Sequence, residues 1–203
     1  MILYINILRG NRGVLQMKNA KFDIPNREDE GFHYDNLWEV KRGQGFQRVI
    51  IGAKDRHIDL ILDIAKGFKP PYGILYVLAV PRGDKNKEGR YQCPYPVSYE
   101  ELKDFCEEFK EYFETDGRHN LWICSASEED SGELLVYDRH DIIYVYDNIE
   151  KVKNYIGNLG FNEGKVNIPM PHTHCYNKEN DEYEEKILDY WKWIHFPLED
   201  GDE

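Results

Sequence analysis

Long apolar runs are missing from this chain: none approaches the roughly 20 residues that a membrane-spanning helix needs, so no such span is expected. The opening Met1 to Leu8 has neither a basic leader region nor a small-residue cleavage site, and it reads as a strand rather than an export signal. Cysteine is sparse. Cys93, Cys106, Cys124 and Cys175 are widely spaced with no C-x-x-C pair, which argues against a disulfide framework and for reduced thiols in a cytoplasm. Catalytic signatures are absent too. Gly43-Gln-Gly45 lacks both the Gly-Lys-Ser/Thr ending of a phosphate loop and the third glycine of a dinucleotide loop, leaving a flexible turn. Ser125 and Ser127 sit in no Gly-x-Ser-x-Gly elbow, and no spacing of Cys and His pairs a nucleophile with a base. No motif asks for a cofactor. Positive charge is the last shortage: 26 Lys and Arg against 38 Asp and Glu leave a formal charge of −12, which repels phosphate backbones and anionic lipid. Direct binding to nucleic acid or membrane is therefore not expected.

What is present is a foldable chain. Its 203 residues suit a single domain, residues 1–203, and 41% hydrophobic with 14% aromatic residues exceeds what a disordered chain carries. Ile2 to Leu8 and Val14 to Met17 flank a Gly10–Gly13 turn as a hairpin. Phe46 to Ile51 forms a third run, and Asp55 then caps a helix with Ile58, Ile61, Leu62 and Ala65 on one face and Leu60 and Ile64 widening it, ended by Gly67 and Pro70-Pro71. Gly73 to Val80 is uninterrupted and reads as a central strand covered on both faces.

The clearest element starts at Ser98, where Ser98 and Glu101 form a capping box ahead of Leu102, Phe105, Cys106, Phe109, Tyr112 and Phe113 on one helical face. Leu121 to Ala126, Glu133 to Tyr137 and Ile142 to Tyr146 follow as an antiparallel meander. Asp147-x-x-Glu150 caps a helix with Ile149, Val152, Tyr155, Ile156 and Leu159 inside and Gly160 as its stop. A last helix, from about Asp181 to Ile194, buries Tyr183, Ile187, Tyr190, Trp191 and Ile194. The expected fold is α+β, a single mixed or mainly antiparallel sheet with about four amphipathic helices packed on it.

Acidity is localised. Residues 1–72 carry 12 basic and 9 acidic side chains, whereas 73–203 carry 14 and 29. Between Ser98 and Asp147 there are 15 Asp and Glu against 4 Lys and Arg, many on the outer face of the capped helix and in the Glu128-Glu-Asp130 turn. Such a face either keeps the protein in solution or steers a basic partner.

Three other constellations carry chemistry. His172 and His174 lie two apart on one side of an extended Pro-flanked segment, with Cys175 adjacent and His195 available from the last helix, all permissible zinc ligands. The plainer alternative is a rigid polar loop. Asp138-Arg-His-Asp141 joins two strands, as a tight turn or as an acid, cation and imidazole facing a pocket. Trp191 and Trp193, about 200° apart on a helix, cannot share a face, which leaves Trp193 or Phe196 nearer the surface as an anchor unless the helix ends early.

The acidic helix Ser98 to Thr115, the Tyr137-Asp-Arg-His-Asp-Ile-Ile-Tyr-Val-Tyr146 hairpin and the Tyr190-Trp-Lys-Trp-Ile194 end belong to a compact, leaderless, acidic and aromatic-rich domain. In this overall character the chain resembles the immunity proteins of bacterial polymorphic-toxin and contact-dependent inhibition systems. The resemblance implies a non-catalytic inhibitor of a cognate toxin domain, often a basic nuclease whose active site is covered by negative charge. The interface residues expected come from this sequence itself: Asp104, Glu107, Glu108, Glu111, Glu128, Glu129 and Asp130, with Trp193 as the aromatic anchor. The competing class is a metal-assisted hydrolase built on His172 and His174; a general interaction domain is a third.

Overall fold

The computed structural model describes residues 20–25, 31–83, 85–128 and 132–202. The expected hairpin from Ile2 to Met17, and Glu129 and Asp130 of the acidic turn, lie outside them. In chain order the elements are β1 (Phe22–Asp23), β2 (Leu37–Gly43), β3 (Phe46–Gly52), α1 (His57–Ala65), β4 (Tyr72–Leu78), β5 (Gly89–Gln92), α2 (Tyr99–Glu108) and α3 (Lys110–Thr115). They continue with β6 (His119–Ser125), β7 (Leu134–Tyr137), β8 (Ile142–Tyr146), α4 (Ile149–Asn158), β9 (Asn162–Glu163), β10 (Thr173–His174), α5 (Asp181–Tyr190) and β11 (Ile194–Phe196). Nine strands form one sheet in the order β11-β5-β4-β6-β7-β8-β3-β2-β9, antiparallel except for the β2–β9 pair. The fold is α+β, as expected. No helix among the described residues is long and apolar enough to cross a membrane.

Period-two alternation explains how the sheet divides its faces. Along β6, Leu121 and Ile123 are buried in the main core while Trp122 and Cys124 on the other face stay half-exposed. The same parity holds in β3, where Val49 and Ile51 join that core and Ile50 joins a smaller cluster with Phe22, Tyr34, Ile142 and Val166. The helices supply the rest of the main core through Ile58 and Ile61, Leu102 and Phe105, Val152 and Ile156, and Ile187. β4 is central, but only partly covered on its second face: Val77 is buried, whereas Gly73 and Leu75 are half-exposed. In the β2–β3 hairpin Gly45 adopts φ 80°, the left-handed turn geometry glycine takes without a Cβ clash.

Helix termini are where the structure departs most from expectation. α2 begins with the capping box, Ser98 Oγ accepting from the Glu101 amide at 3.2 Å and Glu101 Oε2 accepting from the Ser98 amide at 2.9 Å. Phe109 (φ −105°, ψ 15°) then breaks the expected single helix into α2 and α3, which makes five α-helices among the described residues where about four were expected. Asp55 does not cap α1. Arg56 stands before the first turn in a left-handed conformation, and Glu114 of α3 accepts from the Ile58 amide at 2.8 Å, doing from another helix what a local cap would do. For α4 the cap is Asn148, accepting from the Lys151 amide at 3.1 Å; Asp147 pairs instead with the Lys151 ammonium at 3.0 Å. Leu159, expected inside, is 51% exposed because the chain is already turning out of the helix toward Gly160. α5 ends at Tyr190, and Trp191 is extended (φ −125°, ψ 166°), so Ile194 lies in β11 and is 44% exposed rather than buried on a helix.

One buried cation makes a measurable prediction. Lys21 is fully buried; its ammonium donates to the Asp138 carbonyl at 2.9 Å and lies 3.5 Å from the Tyr137 ring centre. Burial lowers its pKa from 10.5 to about 8, against the opposing pull of Asp141 and Asp138. Between those two values the unfolded chain holds a proton that the folded chain has released. The lysine therefore weakens the fold below pH about 8, and that penalty is relieved as pH rises toward 10.5. Urea unfolding across this range should show the stability of the native chain rising relative to Lys21→Met, by up to about 3 kcal/mol. A flat difference between the two would show that Lys21 stays solvated.

Candidate functional site

Two regions bring functional side chains together. The first is the outer surface of α2 and α3. Because the apolar residues of this segment recur at helical spacing and are buried, the residues between them are forced outward: Asp104, Glu107, Glu108 and Glu111 are all exposed. Lys103 approaches Glu107 at 3.8 Å, and Lys110 is drawn away to Asp59 on α1. Asp104, Glu108, Glu111 and Glu128 pair with no cation among the described residues. Glu107, Glu108, Glu111, Glu114 and Tyr183 line one shallow depression together with Thr115 and Lys110. Glu128 stands in the β6–β7 turn, beyond Ser125, which pairs with Tyr72; Tyr72 in turn bonds to Val97 just ahead of α2.

Trp193 is not the exposed anchor expected there. It is half-buried, its ring centre 5.0 Å from that of Trp191 and 5.9 Å from that of Phe105, and its indole N–H donates to the Ile187 carbonyl at 2.7 Å. The early end of α5 removes the 100° rotation per residue that would have separated the two tryptophans. Half-buried Tyr190 and Tyr183 flank the carboxylates instead. The Tyr190 hydroxyl is pushed up by burial and by the charges of Glu108 and Asp104, which places it in their field. Phe196 is exposed on β11.

The second region joins parts of the sequence that no spacing rule connects. His174 lies in β10, which pairs antiparallel with β1, and His172 directly precedes that strand with its ring centre 5.3 Å from that of His174. The third member is neither Cys175 nor His195. Cys175 is buried, and the His195 ring packs on Tyr91 at 4.9 Å while its Nε2 meets the Glu88 carbonyl at 3.1 Å. The partner is His140, from the β7–β8 turn. The three ring centres lie 4.9 to 5.3 Å apart, and one donor atom from each ring falls within 4.8 Å of the other two. Asp138 builds that turn by accepting from the His140 and Ile142 amides at 2.8 and 2.9 Å. Asp141 holds a left-handed conformation (φ 58°), its carboxylate accepting from the Tyr137 hydroxyl and the Lys21 amide. Both acids of Asp138-Arg-His-Asp141 thus serve the turn. Burial lowers the pKa of His172, and it takes His174 to about 3 with help from the charge of Arg139. Both shifts favour the neutral ring.

His140 also borders a cavity of about 390 Å³ on the open face of the sheet, shared with Arg48, Arg139, Trp122, Tyr144 and Asp202. Nε of Arg48, Nε of Arg139 and the indole nitrogen of Trp122 are buried there without a hydrogen-bond partner. Arg48 is otherwise held by the Tyr146 hydroxyl at 2.7 Å. The sequence gives no sign of this grouping, since its members come from four separate stretches of chain.

No protein-family model, curated protein or solved structure matches the chain.

Proposed function

We propose that this chain is a non-catalytic binding protein of the immunity type, which neutralises a basic toxin domain, such as a nuclease, by covering it with the outer face of α2 and α3. The observation that carries the reading is the row of exposed carboxylates on one surface, Asp104, Glu107, Glu108 and Glu111, of which only Glu107 forms an ion pair among the described residues. Carboxylates gathered on one exposed face speed the approach of a cationic partner. Tyr183 and Tyr190 supply aromatic area at the same place, where short-range affinity is usually concentrated. Glu128, exposed in the β6–β7 turn, is a further carboxylate in this reading.

The test is stopped-flow association with a basic toxin domain taken from the large secreted-toxin gene that this reading expects directly upstream. Raising ionic strength should slow association steeply, and Glu107→Lys, Glu108→Lys and Glu111→Lys combined should slow it at least about tenfold at low salt. All three are exposed, so the variant is expected to keep the native circular dichroism. Association that ignores both salt and charge reversal sinks the docking face.

A further inference from the structure

We propose that His140, His172 and His174 bind a late first-row divalent ion, with Zn²⁺ as the probe. The three donor atoms lie within 4.8 Å of one another, whereas nitrogens around one zinc ion, each bonded at about 2.0–2.1 Å, stand roughly 3.3 Å apart. Small ring rotations close that difference. Three imidazoles without a carboxylate favour zinc, copper or nickel over magnesium or calcium.

The rings are also supported as ligands usually are. His172 Nδ1 meets the Pro169 carbonyl at 3.0 Å, and His140 Nδ1 faces Asp138 Oδ2 at 3.4 Å, an arrangement that leaves Nε2 of each ring for a metal. His174 Nδ1 is buried with no hydrogen-bond partner. All three residues are only half-buried, so an ion can enter from solvent. Simple ring packing against Phe22, 5.8 Å from His140 and 5.5 Å from His172, would account for two of the orientations but gives no reason for three donors to converge. With three protein ligands, a fourth position stays open for water or another donor. Such a site would fasten the β7–β8 turn to β10, and it is the first requirement of any metal-assisted chemistry here. It does not depend on the docking role of α2 and α3.

The experiment strips the full chain with a chelator, then titrates Zn²⁺ by calorimetry and Co²⁺ by visible absorption. One ion per chain is expected. His140→Ala decides the geometry, because the His172/His174 pair alone would not need it: it should weaken binding at least about tenfold, as should His172→Ala and His174→Ala, while His195→Ala leaves it unchanged. Should His140→Ala fail to fold, histidine ring resonances of the native chain answer the same question, since Zn²⁺ must shift those of residues 140, 172 and 174 together. Less than one equivalent bound by the native chain, a loss below tenfold in His140→Ala, or a His140 resonance that does not move would each overturn the site.

Discussion

Replacing Arg118 with Met should lower stability by about 3–5 kcal/mol, the cost of leaving buried acids without their partner. Arg118 and Asp116 are fully buried and Glu184 nearly so. The guanidinium donates to Asp116 at 2.7 and 2.9 Å and to Glu184 at 3.1 Å. Glu184 is fixed in turn by the Arg82 amide at 3.1 Å and the Asn86 side chain at 2.8 Å, so α5 is tied to the start of β6 through one arginine. Burial already raises the Asp116 carboxyl above its ordinary pKa even with Arg118 beside it. In the Met variant, with that partner gone, the Asp116 pKa should rise further. Chemical denaturation at pH 7 measures the loss, and Glu184→Gln added to Arg118→Met should recover part of it. A loss below about 1 kcal/mol would mean that water reaches the pair.

Phe105→Ala carries the second large effect, also about 3–5 kcal/mol. The Phe105 ring is fully buried and lies 5.4 Å from Phe109, 5.6 Å from Phe113, 5.2 Å from Tyr190, 4.6 Å from Trp191 and 5.9 Å from Trp193. It is the floor on which the chain leaving α5 rests. Truncation leaves a cavity directly under two tryptophans, so their fluorescence should shift to the red in the folded variant along with the fall in denaturation midpoint. Unchanged emission would place the support of this segment elsewhere.

Elements whose own residues specify them were legible in the sequence. The Ser98 capping box, the apolar stripe of α2 and the three-strand meander each rest on periodicity and local turn chemistry, and each is found. What escaped was set by contacts far along the chain. Glu114 caps a helix amide 56 residues earlier, and β9, β10 and β11 are two or three residues long, too short for periodicity to show. α5 stops at Tyr190 although its apolar spacing continues, because Trp191 and Trp193 both reach the aromatic cluster in extended backbone. The histidine group follows the same rule. Its His172/His174 half is visible as an alternating pair, while His140 arrives only once the β7–β8 turn and β10 meet. The carboxylates of α2 and α3 needed no such information, since an amphipathic helix assigns its outer face by itself.

The ends of the nine-stranded sheet bear on how this protein can associate. β11 has three residues and Pro197 directly after it, a residue with no amide hydrogen to extend a ladder. At the opposite margin, among the described residues, β9 covers only Leu37 and Trp38, and the remainder of β2 presents Glu39, Lys41 and Arg42 beside Val40 and Gly43. A brief border closed by proline and a longer one studded with mixed charge both discourage backbone-to-backbone annealing with another chain. Growth by adding strands is thereby disfavoured, and a binder of this protein is left to engage its side chains.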